Sequence, residues 1–237
     1  MENFILTEVS RRYKNLSCCF FYGSHLKQHT HPASDIDVIS VIQGEITSFR
    51  EHFMAGNKVF DSFVFDAGSL HAAMKQSYSA GSFTLVHSIL GAVPLPCPTP
   101  VSIRLQEIAL ELQQGANVNL DRALFMARHR LGSVINDLIY CDESDRIALS
   151  SAAYRVITEA LLLHLGGGIQ GVKHGGRYLR NKMQADYVRL QQALRDAISG
   201  DVQDLAKWAQ VTLDNIGGPL GNHFRERLPQ LTRIPLD

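Results

Sequence analysis

The chain has 237 residues, 23 basic and 23 acidic, so its formal net charge is zero. Hydrophobic residues make up 45% and charged residues 19%, enough apolar material for a core and too little charge for a disordered polyampholyte. The charge balance argues against a protein whose main work is sequence-independent nucleic-acid binding. The absence of any uncharged apolar run of 18 residues argues against a membrane span.

The first residues, MENFILTEVSRRYK, carry Glu2 and Glu8 and no long apolar stretch, which argues against a cleaved signal peptide. The cysteines are Cys18, Cys19, Cys97 and Cys141, with no CxxC pair. Cys18 and Cys19 sit in an apolar run and read as small buried side chains. A disulfide framework or a cysteine-based zinc site does not fit this pattern, and the expected compartment is a reducing cytoplasm.

In chain order, residues 3–14 place Phe4, Ile5, Val9 and Tyr13 at helical spacing. Ser17–Tyr22 is a short apolar run ending at Gly23, the pattern of a buried strand. A polar loop punctuated by Pro32 leads to Asp35–Ile42, β-branched and alternating, a second strand. Phe49–Ala55 reads as a short helix and Lys58–Asp66 as a third strand. Ser69–Ser77 and Ser82–Leu90 read as helices. AVPLPCPTP, with four prolines in nine residues, cannot be helix interior and reads as a hinge.

After residue 100 apolar positions recur at helical spacing over 101–114, 119–140 and 145–165, and more weakly over 177–184, 187–198 and 201–215. The glycine-rich, basic tract 166–179 between them reads as a flexible loop. The expected organisation is a small α/β unit over 1–96 and a helical bundle over 97–237, neither with an appreciable charge excess.

The residues that suggest chemistry lie between the first two strands. Asp35 and Asp37 are two apart, so their side chains share one face of a strand. Two like charges there repel unless a cation lies between them, and a hard divalent cation such as Mg²⁺ prefers carboxylate oxygens. Upstream, a strand runs into Gly23-Ser24. Glycine lets a phosphate approach the backbone, and the serine offers a hydroxyl and an N–H to phosphate oxygens.

The segment FYGSHLKQHTHPASDIDVISVI resembles the signature of the polymerase-β-type nucleotidyltransferase superfamily: a strand, Gly-Ser, ten residues, then Asp-hydrophobic-Asp-hydrophobic opening another strand. The resemblance spans about residues 17–66. It implies an α+β fold, a mixed sheet with flanking helices followed by an all-α bundle. The later helices resemble, more loosely, the acceptor-binding domains of antibiotic nucleotidyltransferases. The resemblance further implies a third carboxylate on a following strand. Asp61 and Asp66 are both available in KVFDSFVFD, and their odd and even positions put them on opposite faces. Asp61 is preferred, since Asp66 at the strand end suits a helix cap.

The implied reaction is Mg²⁺-dependent transfer of a nucleoside monophosphate, AMP from ATP, to a hydroxyl of a small acceptor, with pyrophosphate leaving. Asp35, Asp37 and Asp61 would be catalytic and hold the metal. Gly23 and Ser24 would hold the β- and γ-phosphates. Lys173 and Arg177, from a stretch without acids, suit a triphosphate clamp. Glu159, the one acid between Asp145 and Asp186, is the candidate general base, with an ion pair to Arg155 four residues earlier as its alternative.

The acceptor is expected to be small, an aminoglycoside-like molecule among the candidates, and a homodimer is compatible with the pattern. A protein-modifying or toxin–antitoxin module and a non-catalytic nucleotide-binding protein are the alternatives. His25, His29 and His31 offer a weaker transition-metal pattern. Arg122 and His129 loosely resemble the spacing of helical HEPN ribonucleases.

Overall fold

The computed structural model describes residues 1–26, 34–115 and 120–220, so His29 and His31 lie outside the described residues. The fold is α+β, one mixed five-stranded sheet with, among the described residues, nine helices. The strands are β1 (Leu16–Tyr22), β2 (Ile36–Ile42), β3 (Phe49–Ala55), β4 (Lys58–Phe65) and β5 (Val93–Leu95), in the order β3-β4-β2-β1-β5. β2 and β4 pair in parallel, and the other neighbours are antiparallel.

The period-2 alternation of the strands divides the core between the two sheet faces. Cys19, Phe21, Ile36, Val38, Phe60 and Val64 pack under α1 (Glu2–Arg12) with Ile5 and Val9. Cys18, Phe20, Ile39 and Val41 face α2 (Ala67–Ser79), α3 (Thr84–Leu90) and α4 (Pro100–Gln114). Cys18 and Cys19 are buried free thiols, and burial pushes them up to about 11 and about 12. The remaining helices, α5 (Asp121–Ile139), α6 (Arg146–His164), α7 (Val172–Lys182), α8 (Gln184–Ser199) and α9 (Gln203–Asn215), share a separate apolar core. Leu105, Ile108 and Ala109 of α4 belong to the sheet's core, so the helix that opens the 97–237 segment packs with the strands.

Three local expectations are corrected. Residues 49–55 form strand β3, not a helix. Gly56-Asn57 closes a two-residue hairpin loop, with Ala55 opposite Lys58 and Gly56 at a φ of 57°. Phe53 stacks on Phe60 at 4.8 Å between ring centroids, and Tyr13 donates to Glu51 at 2.7 Å, which ties the odd-numbered face down.

The proline-rich stretch is not a free hinge: Val93–Leu95 is the edge strand against β1. Prolines fit there because an edge strand leaves half its N–H groups without a ladder partner.

The basic tract 166–179 is not one flexible loop. Residues 166–171 turn, with the Ile169 amide donating to Gly81 at 2.6 Å, and α7 then begins at Val172, five residues earlier than the spacing indicated. Glycine is required at 168, which has a φ of 63° and where a Cβ would overlap the Phe83 ring.

Candidate active site

β1 ends at Tyr22, and Gly23 turns the chain with a φ of 87°, a conformation open to glycine at little cost. A Cβ there would also collide with the carboxylate of Asp37, so the position is closed to other residues on two counts. Tyr22 lies opposite Asp37 across the β1–β2 ladder, and Asp37 lies opposite Asp61 in the parallel β2–β4 register. Asp35 precedes β2 by one residue and shares the parity of Asp37. Strand alternation and register together therefore bring three acids from two neighbouring strands onto one sheet face. One oxygen of each lies within 4.8 Å of the others.

Asp35 and Asp37 open into a cavity of about 510 Å³, with Gly23, Ser24 and Ser34 on the strand side. Thr84, His87 and Ser88 of α3 form another wall, and Gln170, Lys173 and His174 close it from the start of α7. The Ser24 amide donates to Asp37, which fixes the turn against the strand. Asp61 is buried, 5% exposed, and does not line the cavity.

The two central acids are held in opposite electrostatic conditions. Burial pushes the Asp37 carboxyl up to about 6, with the charges of Asp35 and Asp61 adding to the effect. Asp61 is held low by Arg50, whose Nε and Nη2 donate to its two oxygens at 2.8 and 2.6 Å. His52 Nε2 lies 3.1 Å from Asp61 Oδ1. The Arg50 guanidinium also stacks over Phe63, 4.8 Å from its centroid. Arg50 and His52 are partners of Asp61 that the sequence reading missed, because a helical reading of 49–55 gave no reason to aim them at Asp61. The cavity wall of α3 was missed as well. Its signal was present: Thr84, His87 and Ser88 are the polar positions of an otherwise apolar helix and share one face.

The donor set fits a hard divalent cation. The acids offer oxygen only, and burial together with the charges of Asp35 and Asp61 makes the anionic form of Asp37 costly, a cost that a cation would relieve. A carboxylate has about four lone-pair sites; Arg50 and His52 take three on Asp61, which leaves one on Oδ2. Asp35, Asp37 and Asp61 are thus the residues that could hold Mg²⁺.

Asp66 has a different task. It caps α2, accepting from the Ser69 amide at 2.8 Å in a reciprocal capping box. Lys173 reaches the cavity, whereas Arg177, one turn further along α7, is exposed and does not line it. Glu159 is also not brought to the aspartates. Arg155 Nε donates to it at 2.8 Å and Arg130 Nη1 at 3.4 Å, and it lines two neighbouring cavities instead. His25 Nε2 lies 3.1 Å from the Ser34 carbonyl.

These shifts set a pH dependence. The folded-state value of Asp37 lies above its ordinary 3.8, so the folded protein holds a proton that the unfolded chain has released. Its contribution therefore falls as pH rises through that window, whereas the lowered groups Glu51, Asp61 and Asp66 act below it. In EDTA the melting temperature should fall between about pH 4.5 and pH 6.5, less steeply in Asp37→Asn, as scanning calorimetry would record. Equal pH slopes for the two proteins would contradict the assignment.

No protein-family model matches the chain, and a search of curated proteins finds no match. Among the described residues, no helix is long and apolar enough to cross a membrane.

Proposed function

We propose that the chain is a Mg²⁺-dependent nucleotidyltransferase that moves a nucleoside monophosphate, AMP from ATP, onto a hydroxyl of a small acceptor. One observation carries the reading: Asp35, Asp37 and Asp61 converge beside the Gly23-Ser24 turn, and a cavity that Lys173 also lines opens from the first two. That grouping is also what the resemblance to the polymerase-β-type superfamily implies.

The chain's own residues have separable tasks in this reading. Asp35 and Asp37 from one strand and Asp61 from its neighbour would hold Mg²⁺, which when bound supplies charge stabilisation to an in-line displacement at phosphorus. Arg50 keeps Asp61 anionic and fixes the plane of its carboxylate. Gly23 lets a phosphate come close to the backbone, and Lys173 offers a point charge to its oxygens. In the displacement the acceptor oxygen bonds to the α-phosphorus as the bond to pyrophosphate breaks, and the hydroxyl proton must be taken up. Glu159 is paired with two arginines and does not line this cavity, which leaves that proton to groups that do, among them Asp35, Asp37, His87 and His174.

The test is incubation with ATP labelled at the α-phosphate, Mg²⁺ and a panel of hydroxylated acceptors. Label should appear on an acceptor in step with pyrophosphate release, and EDTA should abolish both. ATP bound without turnover across the panel would favour a non-catalytic nucleotide-binding protein.

A further inference from the structure

The aspartate cavity has a neighbour. A second cavity, of about 390 Å³, is bounded by α6, α7 and α8 and meets the first at Gln170. A molecule seated in it therefore adjoins the place where the nucleotide would react.

The wall of the second cavity is mostly apolar, and two glycines help to make it so. α7 presents Gly175 and Gly176 there. A Cβ at the first would come 2.8 Å from the Leu162 side chain, and at the second 2.7 Å from the Tyr187 hydroxyl oxygen. The helix thus lies with bare backbone against Leu162 and Tyr187, and Tyr154 continues the surface. Val172, which opens α7, also borders the cavity and is 87% exposed, so an apolar ligand has hydrophobic surface to take out of water.

Charge in this cavity is cancelled. Among the described residues Glu159 is its one acid and Arg155 its one base, and the two pair at 2.8 Å. Arg130 holds the same acid from α5 at 3.4 Å. A cation entering the cavity would meet no unpaired carboxylate. An anion would meet one arginine, already engaged and with its side chain 75% exposed to water. Either charge would leave water without compensation.

The polar groups of the wall are mostly spent within the protein. The Thr158 hydroxyl donates to the Arg155 carbonyl at 2.8 Å, and the Tyr154 hydroxyl to that of Tyr187 at 3.3 Å. Gln170 Nε2 donates to the Gly167 carbonyl at 2.7 Å, which fixes the orientation of the amide. Its Oε1 is left as an acceptor where the two cavities meet, and a hydroxyl is the group it would take. An apolar wall with a single placed polar atom is the usual build of a small-molecule site.

We infer that the second cavity binds an uncharged molecule with an apolar ring body and a hydroxyl at the Gln170 end, and that this molecule, not a polyamine or an acid, is the acceptor. Its role as acceptor rests on the nucleotidyl-transfer reading, but the binding preference is measured without nucleotide. 1-Naphthol is titrated calorimetrically into the full chain at neutral pH, without ATP or metal. 1-Naphthyl phosphate and 1-naphthylmethylamine, which keep the ring and change the charge, are then added as competitors, with sorbitol as the hydroxylated compound that lacks an apolar body. 1-Naphthol should bind, and each competitor should be about ten-fold weaker or more.

Ser151→Trp and Val172→Asp, both at exposed positions lining the cavity, should each weaken 1-naphthol about ten-fold. Val188→Asp, 55% exposed on α8 and outside the cavity, should leave it unchanged. No binding of 1-naphthol, stronger competition by the phosphate, the amine or sorbitol, or binding that Ser151→Trp and Val172→Asp leave intact would overturn the inference. Label transfer from ATP to some other acceptor would then leave the nucleotidyl-transfer reading standing. Naphthol binding with the expected variant pattern, and no label transfer to any hydroxylated compound, would instead remove the transferase reading and keep the binding site.

Discussion

Asp37→Asn is expected to lower Mg²⁺-dependent transfer from ATP by about 10³-fold and to raise the melting temperature of the metal-free protein. The loss follows from position. Asp37 is central in the set: it follows Asp35 on the same face, lies opposite Asp61 in the register, and lines the cavity. Its removal takes the middle ligand from three and leaves acids that approach the cation from two separate strands. About 4 kcal/mol of lost charge stabilisation at the transition state gives that factor.

The gain in melting temperature has the opposite origin. Asp37 is buried among like charges, and its carboxyl is pushed up to about 6. A neutral amide of the same shape ends that repulsion and still accepts from the Ser24 amide. A residue kept only for stability would behave the other way, losing stability when replaced. Full activity in the variant would remove Asp37 from the mechanism.

Gly23→Ala should cost both fold and function, and Gly44→Ala separates the causes. Both glycines have positive φ, 87° and 94°. Nothing lies within 4 Å of a Cβ at Gly44, so that variant carries conformational strain alone, about 1 kcal/mol. At Gly23 the same strain is joined by overlap with the Asp37 carboxylate. The new methyl must push that carboxylate off its position, which spoils ligand geometry as well as packing. Turnover should fall about 10²-fold in Gly23→Ala and stay near wild type in Gly44→Ala, with the larger drop in melting temperature also at Gly23. Equal effects at the two positions would show that the turn, and not its contact with Asp37, is what matters.

The parts of the site that were legible were those written in strand periodicity. Asp35 and Asp37 two apart, a Gly-Ser turn ahead of them and Asp61 on an alternating strand need only the period of two and a register to converge. Parity also separated Asp61 from Asp66, and Asp66 does cap α2. What the sequence hid were partners set by tertiary pairing. FREHFMA has charges where an inward-facing strand would show apolar residues, because β3 is an edge strand with Arg50 and His52 turned to Asp61 and to solvent. The Gly56-Asn57 loop was the local signal that Phe49–Ala55 folds back on Lys58–Phe65.

Glu159 shows the same limit from the other side. A lone acid in an apolar helix is costly to bury unless used or paired, and it is paired, with Arg155 in its own helix and Arg130 from the neighbouring one. The first partner was readable at i−4; the second depends on how α5 packs on α6. The boundary expected at residue 96 rested on the run of prolines, yet Thr99 caps α4 with Pro100 in its first turn, and the helix packs back on the sheet.

The central claim is that three aspartates on neighbouring strands form one divalent-cation site, and Mn²⁺ titration followed by electron paramagnetic resonance tests it most directly. Wild-type protein should bind Mn²⁺ in competition with Mg²⁺, more tightly in the presence of a non-hydrolysable ATP analogue. Asp35→Asn, Asp37→Asn and Asp61→Asn should each weaken that binding about ten-fold or more, while Asp66→Asn leaves it unchanged. Wild-type binding in Asp37→Asn, or equal weakening in Asp66→Asn, would contradict the site.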